Sequence, residues 1–233
     1  MSTTAQAVQP LLVSVQRLSK SYGKKLVLDA IDFEMPQASI YVLTGANGAG
    51  KSVFLQCLLH YETIDSGRIE IDGRPLSDRL YLRRNTSLIS SDQQQFIDLL
   101  TPGEYFAFIT DIYNIPSSAT QRIRDWAEDL NVSKELDTLI ANLSFGTKKK
   151  IQVLASMLIA PKLLVCDEIY EGLDTDAVAY MQRLFLQRKE QGLGTLLTTH
   201  IAGYGQDIAE RTFRLANHQI HPADEPELSR GCL

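Results

Sequence analysis

The chain has 233 residues, a mass of 26.0 kDa, a formal net charge of -5 and a sequence pI near 5.4. That length suits one large domain, or one domain carrying an insertion, and can bury a full core without staples. With 44% hydrophobic and 22% charged residues, disorder, collagen and disulfide scaffolds are disfavoured, and the mild acidity argues against nucleic acid as the main partner.

The start, Met1 to Pro10, is polar and has neither a basic nor an apolar signal region. Leu11 to Leu18 and Leu26 to Met35 alternate apolar and polar residues around a Ser19–Gly23 break, the pattern of a strand hairpin or meander. Ser39 to Leu43 is a short apolar run entering a glycine-rich turn, as a buried parallel strand would. Ser52 to His60 follows with Val53, Phe54, Cys57 and Leu58 on one helical face, and Ile69 and Ile71 alternate with carboxylates in an edge-type strand. Thr86 to Ser90 reads as a further strand.

From Thr101 to Ile140 apolar residues recur at helical spacing, punctuated by Pro102, Pro116 and Asn131, which predicts two or three short helices and no strand. Alternation then returns: helix over 151–160, strand Leu163 to Cys166, helix over 175–190, strand Thr195 to Thr198. Such alternation predicts a parallel sheet covered on both faces. The fold expected is an α/β domain split by a helical insertion. The longest candidate for a membrane span, Val153 to Cys166, is broken by Ser156, Pro161 and Lys162. Cys57, Cys166 and Cys232 are odd in number and far apart, so no disulfide framework is expected, and Cys232 is misplaced for prenylation. The expectation is a cytoplasmic protein.

Gly45-Ala46-Asn47-Gly48-Ala49-Gly50-Lys51-Ser52 fits G-x-x-x-x-G-K-[ST] between an apolar strand and a helix, the context that motif needs. Glycines let backbone N–H groups curl around phosphate oxygens, and the helix N-terminus adds partial positive charge. Lys51 is then expected to bridge the β- and γ-phosphates and the Ser52 hydroxyl to ligate Mg²⁺. The strand Leu163 to Cys166 ends in Asp167-Glu168, which puts two carboxylates at the carboxyl edge of the sheet. Asp167 is the expected Mg²⁺ partner and Glu168 the group that polarises the attacking water. His218 and His221 have a metal-like spacing but no third ligand, and are not expected to bind one.

In this order the motifs resemble the ATP-binding cassette (ABC) family of transporter ATPases, over about residues 12 to 220. Leu143-Ser144-Phe145-Gly146-Thr147 resembles the family's signature, Glu171-Gly172-Leu173-Asp174 its D-loop, Thr199-His200 its switch histidine, and Tyr22 the aromatic that stacks on adenine. The resemblance implies a P-loop, RecA-like core with an N-terminal antiparallel β subdomain and an inserted α-helical subdomain. The implied division is residues 1–92, 93–147 and 148–233. It further implies ATP and Mg²⁺ as cofactors, with Glu168, His200 and Lys51 as catalytic residues. Nucleotide would be held by Tyr22, Gly45, Asn47, Gly48, Ala49, Gly50, Lys51, Ser52, Ser144, Gly146 and Asp174, and the metal by Ser52, Asp167 and Gln93. Two cassettes, as a homodimer or heterodimer, would pair head to tail around two nucleotides and drive a separate integral-membrane permease from its cytoplasmic face.

Several residues depart from the family pattern. Phe145 replaces a signature glycine and adds bulk where backbone approaches phosphate. Thr147 replaces Gln, Ile169 stands where proline is usual, and Glu171 takes the place of a D-loop Ser or Asn. The family's glutamine falls at Ser91 or Asp92 by strand register and at Gln93 by residue type. At least two of Lys148, Lys149 and Lys150 are expected on a solvated basic face. This lysine-rich stretch looks more like ABC-2-type exporters than importers. A soluble ABC ATPase outside transport, or a regulatory cassette with weak or no hydrolysis, are the alternatives.

Overall fold

The computed structural model of the chain describes residues 10–90, 97–116, 118–200 and 205–223. Two sheets and six helices make up this part of the molecule. Strands β1 (Leu11–Tyr22) and β2 (Lys25–Pro36) pair antiparallel across a tight turn at Gly23. Alternation drives the pairing: Val13, Val15 and Leu18 point inward with Leu28, Ile31, Phe33 and Met35. After β3 (Ile40–Thr44) and helix α1 (Lys51–Leu58), strand β4 (Ser66–Ile71) returns to β1 with Val13 opposite Ile71. The two-residue β5 (Arg74–Pro75) lies beyond it, so β4 is not the outermost strand its alternation suggested.

Helix α2 (Arg79–Asn85) was not legible in the sequence. It buries only Leu82, too little to leave a periodic signature, and is started by Asp78 accepting from the Tyr81 N–H. Strand β6 (Thr86–Ile89) follows. The middle of the chain is helical, with α3 (Pro102–Tyr113), α4 (Ala119–Asp129) and 3₁₀ turns at Ser133–Glu135 and Ile140–Asn142. Thr101 and Glu104 form a capping box that engages their own two amides, Pro102 at the first helical position has none, and Gly103 N–H donates to Leu136 O at 3.0 Å. Phe106, Ile109, Ile123, Ala127 and Leu130 form a core of their own against Ile151, Leu154 and Leu158.

Those last three residues belong to α5 (Phe145–Ile159), which begins six residues before the expected 151. Its start is set by Ser144, whose Oγ accepts from the Thr147 N–H at 3.2 Å. Then come β7 (Leu163–Cys166), α6 (Thr175–Glu190), β8 (Gly194–Thr199), and the hairpin of β9 (Arg211–Ala216) and β10 (Gln219–Pro222). The second sheet runs β10-β9-β3-β8-β7-β6 and is parallel except for β10. Strands β7 and β8 are buried along their whole length, and β7 accordingly reads as a continuous apolar run. One face packs on α1 and the antiparallel sheet, the other on α5 and α6. Among the described residues no helix is long and apolar enough to cross a membrane. Cys57 and Cys166 are buried free thiols; Cys232 lies outside the described residues.

Candidate functional site

The parallel order brings the ends of β3, β7 and β8 together, and the turn after β3 wraps toward the other two. Gly45 to Gly50 forms that turn, with its Asn47 and Gly48 tip exposed and the Ala49 N–H bonded to Ala46 O at 3.1 Å. Gly50 sits at φ 108°, a conformation open to glycine, immediately before α1. Lys51 is buried, and its Nζ folds back to donate to the carbonyls of Gly45 (2.8 Å) and Ala46 (3.4 Å). The same ammonium lies 3.1 Å from Oε1 of Glu168.

Ser52 and Asp167 meet across 115 residues of chain, Ser52 Oγ donating to Asp167 Oδ2 at 2.6 Å. The other Asp167 oxygen accepts from Thr198 Oγ1 at 2.6 Å, and Thr198 Oγ1 in turn accepts the Glu168 N–H at 3.0 Å. Thr198 was missed as a site residue; the available signal was a pair of threonines, Thr198 and Thr199, closing a fully buried strand beside the histidine. Glu168 sits at φ 50°, uncommon for a residue with a side chain. Its Oε2 accepts from the His200 backbone N–H at 3.2 Å and lies 2.7 Å from His200 Nδ1.

Burial pushes the Glu168 carboxyl up, but hydrogen bonds and attraction from Lys51 and His200 outweigh it and hold the group below the usual glutamate range. The carboxylate is therefore ionised at neutral pH and placed between two positive or donating groups. A hydroxyl and a carboxylate already within 2.6 Å of each other supply hard oxygen donors of the kind Mg²⁺ shares with phosphates. Among the described residues there is no cluster of three or more His, Cys, Asp or Glu that could cage a metal, His218 and His221 included.

A second group surrounds the start of α5. The nearest atoms to a Cβ built on Gly146 belong to Gly172 and Leu173, the Gly172 carbonyl oxygen at 2.6 Å. Any side chain there would collide with backbone, so a helical glycine is required by close approach. The Phe145 ring packs on Gly172, with the Lys149 ammonium 4.4 Å from the ring centroid. One edge of the ring thus lies against the D-loop-like turn, while the residue as a whole stays exposed. Asp174 caps α6, accepting from the Ala177 N–H at 2.8 Å. That bond, more than its slight burial opposes, and its contact with Lys150 keep its carboxyl below the usual range.

The lysine run does not form a solvated face. Lys148 pairs with Asp98 at 3.1 Å, Lys150 with Asp174 at 3.3 Å, and Lys149 is only 2% exposed. Each side chain follows the helix to a different partner, which spacing alone could not reveal. Tyr22, the last residue of β1, is 45% exposed, with the Lys20 ammonium 4.8 Å over its ring. Gln93, with Ser91 and Asp92, lies outside the described residues.

The phosphate-type loop, the capped carboxylate pair and the histidine beside it share one sheet edge, and the profile of the ABC transporter family matches residues 28–171, more than half of the chain. The chain belongs to the ABC transporter family. The arginine transport ATP-binding protein ArgV of Corynebacterium glutamicum is 26% identical, covering 93% of this chain and 91% of its own. The lantibiotic transport ATP-binding protein SrtF of Streptococcus pyogenes is 27% identical over 85% and 84%. A solved ATP-binding subunit of an ABC transporter superposes with a TM-score of 0.82 at 25% identity, covering 91% of this chain and 90% of that one. This ABC protein is an ATP-binding subunit and hydrolyses ATP.

Proposed function

We propose that this ABC subunit powers a separate integral-membrane permease, closing head to tail with a second cassette around MgATP and reopening after hydrolysis. The observation that carries the reading is the Glu168 carboxylate, ionised and held between Lys51 at 3.1 Å and His200 at 2.7 Å beside the Ser52–Asp167 pair. With nucleotide bound, Lys51 turns from the loop carbonyls to phosphate oxygens, which frees Glu168 to orient a water and accept its proton. Ser52 and Asp167 would hold Mg²⁺, which would supply the positive charge that screens phosphate oxygens. The Thr198 hydroxyl fixes both carboxylate-bearing residues in place. His200 stays against Glu168, within reach of the same water. Gly45, Asn47, Gly48, Ala49 and Gly50 would cradle phosphate, Tyr22 would stack on the base, and Gln93 would join Ser52 and Asp167 in holding the metal. Ser144, Gly146 and Asp174 serve the nucleotide of the facing cassette.

Support for a permease comes from a cleft of about 480 Å³ where α1 ends near α2, β6 and α3. Tyr61, Leu82, Arg83, Tyr105 and Tyr113 line it, a half-apolar floor suited to a short helix of a membrane subunit. The lysine-rich start of α5 supports the export direction. The division into residues 1–92, 93–147 and 148–233 follows the same reading, as does a place on the cytoplasmic face of the membrane. Phosphate release by Glu168→Gln tests the core claim. We expect a fall of about 100-fold or more with ATP still bound, and ATP-dependent dimers on gel filtration. Turnover equal to the unsubstituted protein would remove Glu168 from its role.

A further inference from the structure

Lys149 makes no contact ion pair among the described residues, although the Glu171, Glu168 and Asp167 carboxylates attract it from farther off. Its side chain is 2% exposed. Its Nζ instead donates to two backbone carbonyls, Glu168 O at 2.5 Å and Glu171 O at 3.0 Å, and faces the Phe145 ring at 4.4 Å. An ammonium has three donors; two go to carbonyls and the remaining charge rests on the ring face. Burial costs this ammonium more solvation than attraction from the Glu171, Glu168 and Asp167 carboxylates returns, and holds it below the usual lysine range, so stability alone is a poor reason for it. Its neighbours Lys148 and Lys150, by contrast, make ordinary ion pairs with Asp98 and Asp174.

What the two carbonyls share is the turn that carries the proposed base. Glu168 sits in the left-handed region at φ 50°, and such residues persist only where their surroundings over-determine them. Here each polar group of Glu168 is engaged: its N–H by Thr198 Oγ1 at 3.0 Å, its carboxylate by Lys51 and His200, and its C=O by Lys149. The second bond, to Glu171 O, closes the same turn three residues on. Gly146, within 2.6 Å of Gly172 O for any added Cβ, presses the helix that carries Lys149 against that turn.

We infer that Lys149 is a positioning residue for hydrolysis: through the Glu168 and Glu171 carbonyls it locks the peptide plane that aims the Glu168 carboxylate, and it ties that aim to the first turns of α5. The inference rests on Glu168 being the general base. Steady-state ATPase kinetics on the full chain test it, with thermal unfolding recorded for every variant. Lys149→Met, similar in length but without donors, should lower kcat about tenfold to 100-fold with KM for ATP within about twofold. Lys149→Gln, which keeps an N–H donor on a shorter arm, should fall between the two, and it decides the matter by the same kcat criterion if the methionine variant does not fold. In a Glu168→Gln background, Lys149→Met should change the residual turnover by less than about twofold, because the group it aims is gone. A kcat within twofold of the unsubstituted protein overturns the inference, and so does an equal fractional loss in both backgrounds. Full turnover in Glu168→Gln removes the base and this inference together. An inactive Glu168→Gln beside a fully active Lys149→Met removes the inference alone.

Discussion

Replacing Gly146 by alanine sets two effects of opposite sign against each other. Alanine is favoured over glycine by up to about 1 kcal/mol in a helix interior, and by less at the second position of a helix such as α5. Against this, the new Cβ would stand 2.6 Å from the Gly172 carbonyl oxygen, where ordinary contact begins at 3.4 Å. The obstacle is backbone and cannot swing aside, so the helix start and the 171–174 turn must part by about 0.8 Å, an overpacking of the kind that costs about 1–3 kcal/mol. The steric cost wins, and we expect a net loss of about 1–2 kcal/mol, or about 2–8 °C in Tm for a chain of this size. Thermal unfolding by circular dichroism, with urea midpoints as a second measure, reads it directly. Because the displacement lengthens the Lys149 bonds to Glu168 and Glu171, kcat should fall alongside. A variant more stable than the parent would show that helix propensity governs this position and that the close approach does not constrain it.

Other substitutions separate binding from chemistry. Tyr22→Ala should weaken ATP binding about twofold to tenfold, the worth of one aromatic stack, in a fluorescent-nucleotide titration; unchanged affinity removes the stacking role. Ser52→Ala removes the hydroxyl that holds Asp167 Oδ2 at 2.6 Å and should raise the Mg²⁺ concentration needed for half-maximal ATPase; an unshifted Mg²⁺ curve contradicts it. For Asp72, burial raises the carboxyl, but Lys162, Tyr81 and Gln37 donate to it and take it below its ordinary 3.8. A depressed folded-state value means stability present above the unfolded value and lost as pH falls through the folded one. Asp72→Asn should therefore be less stable than the parent at pH 7, with the gap closing as pH falls below the ordinary 3.8; urea midpoints showing a constant gap would argue against the network.

What the sequence made legible is what short-range chemistry encodes. The phosphate loop stands between its strand and helix because glycines and a buried apolar run specify both locally, and Asp167 and Glu168 stand at the end of a strand too apolar to be anything but internal. The helices over 102–129 followed from helical period and the punctuation of Pro102 and Pro116. Other features depend on which distant segment comes alongside. Nothing near Arg211 or Gln219 says that β9 lies beside β3, and α2 buries a single leucine. The lysines of α5 looked like a solvated run because a triplet of charges carries no information on the partner each will meet. That Phe145 packs on Gly172 likewise depends on a distant turn that its own neighbours do not announce.

The position of β3 also governs when the nucleotide site can exist during synthesis. Its neighbours on both sides, β8 and β9, are encoded about 155 and 170 residues later, so the strand that launches the phosphate loop stays unpaired until nearly the whole chain has emerged. The β1–β2 hairpin, with β4 close behind, can form from the first third of the chain. Vectorial folding thus assembles the antiparallel sheet early and the ATP-hydrolysing edge last, leaving apolar strands such as β3 exposed in between, the stage at which a chaperone has most to protect.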